Sequence, residues 1–465
     1  MSEPPAAAAH DPHAALSYRA THARPPLATL LLSLAAVHLA VWALAAARIA
    51  DPLLNHQDSL QYLAQAMNIR LHGSWYAGPW DAPHDPMLLS IRPPLYAYVL
   101  AAVLAVSRSP LAMTLLQCAL SVVTLAGIAR ALGDYAVMGR RRAWIAAALI
   151  VCPSQLVYAN TIMAELLVQA AIVWAFLAYR AWVRTARPLH LVLAALALAA
   201  GAWLKPVLVA AWAPFLALIA VRVARRVARP AALLAGLIPL AAVLALALAQ
   251  GARTGSVHYS SLPAYNLLTY NLPQLLARRM PEAEAWRRIN AIDSVARAQP
   301  TLGARLATVE HAGARAILAD PLRYAALQLR GMAVFMLDPG RFDVAQFLRL
   351  QPVGAGGFFE SASSAGVRGV GRTVAAMPKP LLAYLLVVAI AHAVLALCFF
   401  VALGDARIEP PVRGMLAGLV GYVWLVTGTI GAARFRVPIE PLLLFALPFG
   451  LERLLSAIGQ RRPYG

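Results

Sequence analysis

Five residues with chemical potential are spread over almost the whole of this 465-residue chain: Asp58, Glu165, Lys205, Arg434 and Arg436. Each falls at one end of a long apolar run. A carboxylate can accept a proton, and amines and guanidiniums can hold an anion. Charges of both signs gathered on one rim are equipment for acid–base and anion-stabilising chemistry.

Each residue also has a plainer reading. Asp58 opens the stretch DSLQYLAQAMNIRLHG, in which Leu60, Leu63, Ala64, Met67 and Leu71 keep helical spacing. This predicts an amphipathic helix at a membrane edge. Asp58 also suits its N-cap, with Gln61 completing a capping box. Asp51 is a rival carboxylate, expected to end the first apolar helix. Glu165, in NTIMAELLVQ, can complement a helix dipole. Lys205 and Lys379 are the only lysines among 40 basic residues. Both precede proline, and Lys205 can serve as a compact charge for phosphate or can snorkel to the interface. Lys379 carries no functional expectation. In the stretch ARFRVPIEP, Arg434 and Arg436 form a basic pair suited to an anion, or partners for Glu440. Arg92 stands before a rigid Pro-Pro turn in SIRPPLY. Trp75, Tyr76 and Trp80 read as an interfacial belt or a substrate platform. His84 and Asp85 are two possible metal ligands without a third.

The elements that position these residues follow from composition. The chain is 61% hydrophobic and 13% charged, with mean hydropathy +0.66. Apolar runs lie at 27–49, 110–133, 143–159, 163–183, 189–204, 206–221, 231–250, 381–403, 413–431 and 437–456, which predicts an all-α polytopic membrane protein of about ten spans. With residues 1–26 as a disordered cytoplasmic tail, Arg140–Arg142, Arg184–Arg187, Arg222–Arg229, Arg407–Arg413 and Arg461–Arg462 fall on the cytoplasmic side. The net charge of +20 therefore orients spans and does not imply nucleic acid. The segment Pro94 to Val106 is too short to cross and is expected to lie on the outer surface. It belongs to a first outer loop, 51–109, within an N-terminal membrane module, 27–250. A second outer region, 251–380, precedes the C-terminal membrane helices, 381–465. Cys118, Cys152 and Cys398 lie inside apolar runs and read as small core residues.

Taken in order, these segments resemble bacterial members of the protein mannosyltransferase and aminoarabinose transferase group, C-type glycosyltransferases that use polyprenyl-phosphate sugars. The resemblance rests on Asp58 in the first outer loop, the RPPLY element at Arg92–Tyr96, Glu165 in the second outer turn, Lys205-Pro206, and the RxRxP turn from Arg434 to Pro438. It covers the N-terminal half and the last membrane hairpin. The family often has two adjacent acids in the first loop, whereas Asp58 is followed by Ser59, and 251–380 matches no assigned element.

The resemblance implies a C-type glycosyltransferase-like fold and an inverting transfer of sugar to an envelope lipid, glycan or protein on the outer face of the inner membrane. Asp58 would be the general base, and Arg92, Lys205, Arg434 and Arg436 would hold the carrier phosphate. Glu165 would orient the acceptor or assist a divalent ion, Mg2+ or Mn2+, whose weak candidate ligands are Asp58, His84, Asp85 and Glu165. Tyr62, His84 and Tyr96 would face the acceptor. Membrane lipids are expected partners. A lipid-linked glycan ligase or polymerase is the nearest alternative. A transporter or flippase is another, but it favours midplane charges and inverted repeats.

Overall fold

The computed structural model of the chain describes residues 27–48, 57–135, 137, 142–150, 152–348, 368–369, 371–372, 374–375 and 377–459. Among these residues every regular element is helical. Helices satisfy their backbone polar groups internally, as apolar surroundings require. Seven are long and apolar enough to cross a membrane: Ala28–Ala47, Leu111–Leu132, Glu165–Thr185, Pro206–Ala224, Ala232–Thr254, Lys379–Ala402 and Ala433–Ile458. The chain is a multi-pass membrane protein.

The other three expected runs form shorter helices. Pro188–Leu204 and Pro410–Val426 have 17 residues each, or about 25 Å at 1.5 Å per residue. The run 143–159 divides into Arg142–Ile150 and Pro153–Ala159. Pro153 cannot donate to the preceding turn and instead starts the second piece. The segment Leu95–Ser107 is a separate 13-residue helix packed on Gln57–His72, Leu111–Leu132 and Pro188–Leu204. The expected tail 1–26, Asp51, and the arginines at 140, 141, 461 and 462 lie outside the described residues.

Glu165–Thr185 is the central helix. It packs on Leu111–Leu132, Pro188–Leu204 and Pro410–Val426, and its Phe176 meets Phe445 of the last helix edge-on at 5.0 Å between ring centres. At its far end Arg180 and Arg184 pair with Asp134, and Arg184 also pairs with Glu409.

Region 251–380 contributes the helices Glu282–Arg297, Leu302–Leu318, Pro321–Leu337 and Arg341–Phe347 among its described residues. The amphipathic stretch 312–329 is broken at Asp320, whose carboxylate caps Arg323 N at 3.2 Å, and at Pro321. Pro321–Leu337 then crosses the end of Pro410–Val426. Trp424 Nε1 donates to Met332 O at 2.8 Å, and Gln328 Nε2 donates to Leu425 O at 2.5 Å. The backbones meet at Gly331, where a Cβ would fall 1.5 Å from the Gly428 carbonyl oxygen. That approach seats the turn 427–432, which leads directly to Arg434.

Candidate active site

Asp58 lies in the first turn of Gln57–His72. Arg92 Nη2 donates to its Oδ1 at 2.5 Å, and Arg434 Nη1 donates to its Oδ2 at 3.3 Å. Residues 34 and 376 positions away thus converge on one carboxylate. Gln61 does not form a capping box, because its Oε1 accepts from Arg92 Nε at 2.9 Å. The Pro-Pro turn after Arg92 is pinned in turn by Gln65, whose amide donates to the carbonyls of Arg92 and Trp75. Burial disfavours the charge of Asp58, but Arg92, then Arg434 and Lys205, outweigh it and hold the carboxyl at about 2.

The pair Glu165 and Lys205 lies beside this cluster. The Lys205 ammonium donates to Glu165 Oε1, and Glu165 is 0% exposed with its Oε2 lacking a partner. Pro206 disfavours helical geometry at the residue before it. Lys205 is accordingly extended, at φ −154° and ψ 139°, and ends Pro188–Leu204. Its ammonium lies 5.6 Å from the centre of the Phe435 ring, and the Arg434 guanidinium lies 4.7 Å from the same centre. One aromatic ring thus spaces two cations.

Tyr62 and Tyr96 form the floor, both buried, with ring centres 4.6 Å apart. Arg92 sits 5.3 Å from the Tyr62 ring centre. The Tyr96 hydroxyl donates to Gln117 Oε1 at 2.8 Å, while the Tyr62 hydroxyl has no partner.

Arg436 is not in this cluster. Its Nη1 donates to Phe335 O at 2.7 Å and Met336 O at 3.1 Å, and its Nη2 donates to Asp338 O at 2.9 Å. The same Nη2 lies 3.0 Å from His392 Nδ1, and His392 Nε2 lies 3.4 Å from Glu440 Oε1. Positions two apart on a helical turn point about 200° away from each other. Arg434 therefore faces Asp58, and Arg436 grips the C-terminal carbonyls of Pro321–Leu337.

His84 and Asp85 are also placed elsewhere. His84 is exposed and stacks on Tyr76, with ring centres 4.4 Å apart. Asp85 accepts from Arg305 Nη1 at 2.6 Å and caps Met87 N, fastening the first loop to Leu302–Leu318. Among the described residues no three His, Cys, Asp or Glu side chains come together as a metal site. Asp58 and Glu165 are already neutralised by guanidinium and ammonium groups, so this donor set does not fit a resident divalent ion.

Two acids of region 251–380 join the cluster and carried no assignment from sequence. Asp338 accepts from Ala433 N at 3.0 Å and so fixes the start of the arginine turn. Asp343 faces the Tyr158 hydroxyl, with Asp338, Arg434 and Glu165 also acting on it. Burial, reinforced by Asp338, pushes Asp343 up to about 6 despite Tyr158 and Arg434. The one signal available was DPGRFD, a Pro-Gly turn with an acid on each side.

No family model and no curated protein matches the chain. Among solved structures, it is similar to the archaeal oligosaccharyltransferase AglB from Archaeoglobus fulgidus, in complex with an inhibitory peptide and a dolichol-phosphate. The identity is 12% and the TM-score 0.44, over 94% of this chain and 52% of that one. It is also similar to ArnT from Cupriavidus metallidurans bound to undecaprenyl phosphate, at 18% identity and a TM-score of 0.35, over 92% of this chain and 80% of that one. The chain spans about half the length of the first of these.

Proposed function

We propose that the protein transfers a sugar from a polyprenyl-phosphate carrier to a cell-envelope acceptor on the outer face of the inner membrane. The observation that carries this reading is the convergence of Arg92, Lys205 and Arg434 on Asp58 and Glu165 at one end of the bundle. Cations held in apolar surroundings interact strongly with an anion. A phosphate attached to a membrane lipid meets them at the level where its headgroup lies.

Asp58 is a weak proton acceptor while both its oxygens are bound by arginine. Arg434 is 23% exposed and its contact with Asp58 is the longer of the two, so an arriving phosphate competes for it first. Sharing the guanidinium charge raises the Asp58 carboxyl toward the ordinary carboxylate range. Asp58, 15% exposed, then takes the proton of the acceptor hydroxyl as that oxygen attacks the anomeric carbon. The bond from that carbon to the phosphate oxygen breaks, and its electron pair stays on the phosphate, opposite Arg434 and Lys205. Attack from the face opposite the phosphate inverts the anomeric centre. Glu165 keeps Lys205 charged and aimed. The Tyr62 hydroxyl, unpartnered on the ring beneath Arg92, is left to meet the acceptor, whereas Tyr96 is committed to Gln117.

The test is twofold. Purified protein in lipid nanodiscs is given a radiolabelled polyprenyl-phosphate sugar, and envelope glycans of a deletion strain are compared with wild type by mass spectrometry. One sugar should be missing from one glycan class, and the same sugar should turn over in vitro. An unchanged glycan profile together with no turnover of pentose, hexose or aminosugar donors would overturn the proposal.

A further inference from the structure

The helix Pro321–Leu337 buries one face and leaves the other bare. Leu327 and Phe335 are enclosed, whereas Leu322 is 83% and Leu329 67% exposed, with Ala325 and Ala326 exposed between them. The positions 322, 325, 326 and 329 make one continuous stripe on a helix, and it contains no polar residue. Leu318, at the end of the preceding helix, is also exposed. In water such a stripe would be an unpaired apolar patch.

Its neighbours identify what covers it. Gln328, adjacent to Leu329, bonds the carbonyl of Leu425, and Leu425 and Val426 are exposed at the end of Pro410–Val426. The helix also packs on Lys379–Ala402, a candidate span whose Leu386, Ile390, Val394 and Leu397 form an exposed row. The bare stripe therefore adjoins the surface that spanning helices turn to lipid. Trp424, whose ring nitrogen is bonded to Met332 O, stands at the junction, a residue type favoured at membrane interfaces. Arg323, paired with Asp320 at 3.2 Å, follows Leu322 at the helix start, a basic residue of the kind found beside phosphate headgroups.

We infer that Pro321–Leu337 lies in the membrane leaflet on the site's side, with Leu322, Ala325, Ala326 and Leu329 inserted among the acyl chains. The insertion has a consequence that rests on the proposed transfer reaction. The C-terminal carbonyls of this helix hold Arg436, and Gly331 abuts Gly428 and Gly431. The depth of the helix thus fixes the depth of Arg434, and the leaflet brings that guanidinium level with the phosphate of a lipid carrier.

Depth-dependent quenching tests the seating without reference to activity. Full-length protein bearing a fluorophore on Leu322→Cys, Ala325→Cys or Leu329→Cys, in turn, is reconstituted in phosphatidylcholine–phosphatidylglycerol vesicles. The native cysteines are buried, and an Arg288→Cys label serves as the aqueous control. The stripe labels should lose roughly half their emission to acyl-chain spin labels and resist iodide, and the control should do the reverse. Iodide quenching of the stripe labels in vesicles would overturn the inference. So would protection from both quenchers together with cross-linking between two copies of the chain, which would assign the stripe to a dimer. Double replacement Leu322→Glu and Leu329→Glu should raise KM for a long-chain donor about tenfold with kcat retained. If wild type turns over no donor, the reaction proposed above fails while the quenching result stands.

Discussion

Both ends of the bundle carry buried or half-buried ion pairs, but the two ends are built differently. At the end away from the site, Arg180 and Arg184 meet Asp134 and Glu409, and the Tyr135 hydroxyl donates to Glu409. Two cations face two anions, and Asp134 is 52% exposed. Arg407 is likewise divided between Asp405 and Glu452. In each of these pairs at least one partner reaches solvent; the networks tie helix ends together, and partly exposed pairs of this kind contribute little each. At the site end, Arg92, Lys205 and Arg434 surround Asp58 and Glu165 in apolar packing, and one Glu165 oxygen lacks a partner. An enclosed cluster of cations and carboxylates with an unfilled acceptor is costly unless a ligand completes it. The difference separates a structural fastening from a binding site more clearly than the presence of charge does.

The sharpest way to break this contrast is to neutralise one carboxylate at each end. Asp58→Asn keeps the volume and loses the proton acceptor, so transfer from a lipid-linked donor should fall by about a thousandfold, within the usual range for a general base. Asp134→Asn should leave turnover within roughly threefold, since Asp134 is half-exposed and lies at the end away from the site. Comparable losses in the two variants, measured as single-turnover rates, would mean that the ends are alike after all.

The membrane class was legible because a span must be apolar over most of its length. Asp58, Arg92, Glu165, Lys205 and Arg434 could be nominated because each stands in a short punctuated motif at a helix end. Arg436 and Arg434 form a pair in sequence but not in space, because residues two apart on a helical turn diverge. That geometry was available once the turn was read as helical. Capping by Asp58 was locally plausible and failed because Arg92, 34 residues on, takes both Asp58 and Gln61. Asp338 and Asp343 were out of reach, since only the fold of 251–348 over the end of Pro410–Val426 brings them to Arg434.

The two arginines of one motif offer a second, smaller test. Arg434→Gln should weaken binding of polyprenyl phosphate by roughly ten- to a hundredfold, the value of one or two charge-assisted bonds. Lysine at 434 should restore part of it, lacking the planar fork. Arg436→Gln strands three carbonyls and leaves Glu440 beside His392 alone. It should lower thermal stability in detergent by about 3 kcal/mol, the order of cost of leaving buried polar and charged groups uncompensated, while the folded fraction binds carrier normally. Weaker carrier binding by folded Arg436→Gln protein would place both guanidiniums on the phosphate.

The smallest expected effect is also the most specific to the site end. Asp343, held at about 6, is largely protonated at pH 5 and ionised at pH 7.5. Its ionised form places a negative charge near Arg434, opposing a bound phosphate. A donor phosphodiester does not itself titrate across this interval, so its affinity should fall a few-fold as pH rises through about 6, in line with one screened charge. Asp343→Asn should bind donor at least as tightly as wild type at pH 7.5, with no inflection near 6. Stability carries the same sign. The folded chain binds this proton more tightly than the unfolded one, whose carboxyl keeps the ordinary 3.8, so native stability is lost from this residue between about pH 4 and pH 6. Asp343→Asn should therefore be no less stable than wild type at pH 8. An inflection near 6 that persists in Asp343→Asn would transfer the titration to another group and leave Asp343 as a partner of Tyr158 only.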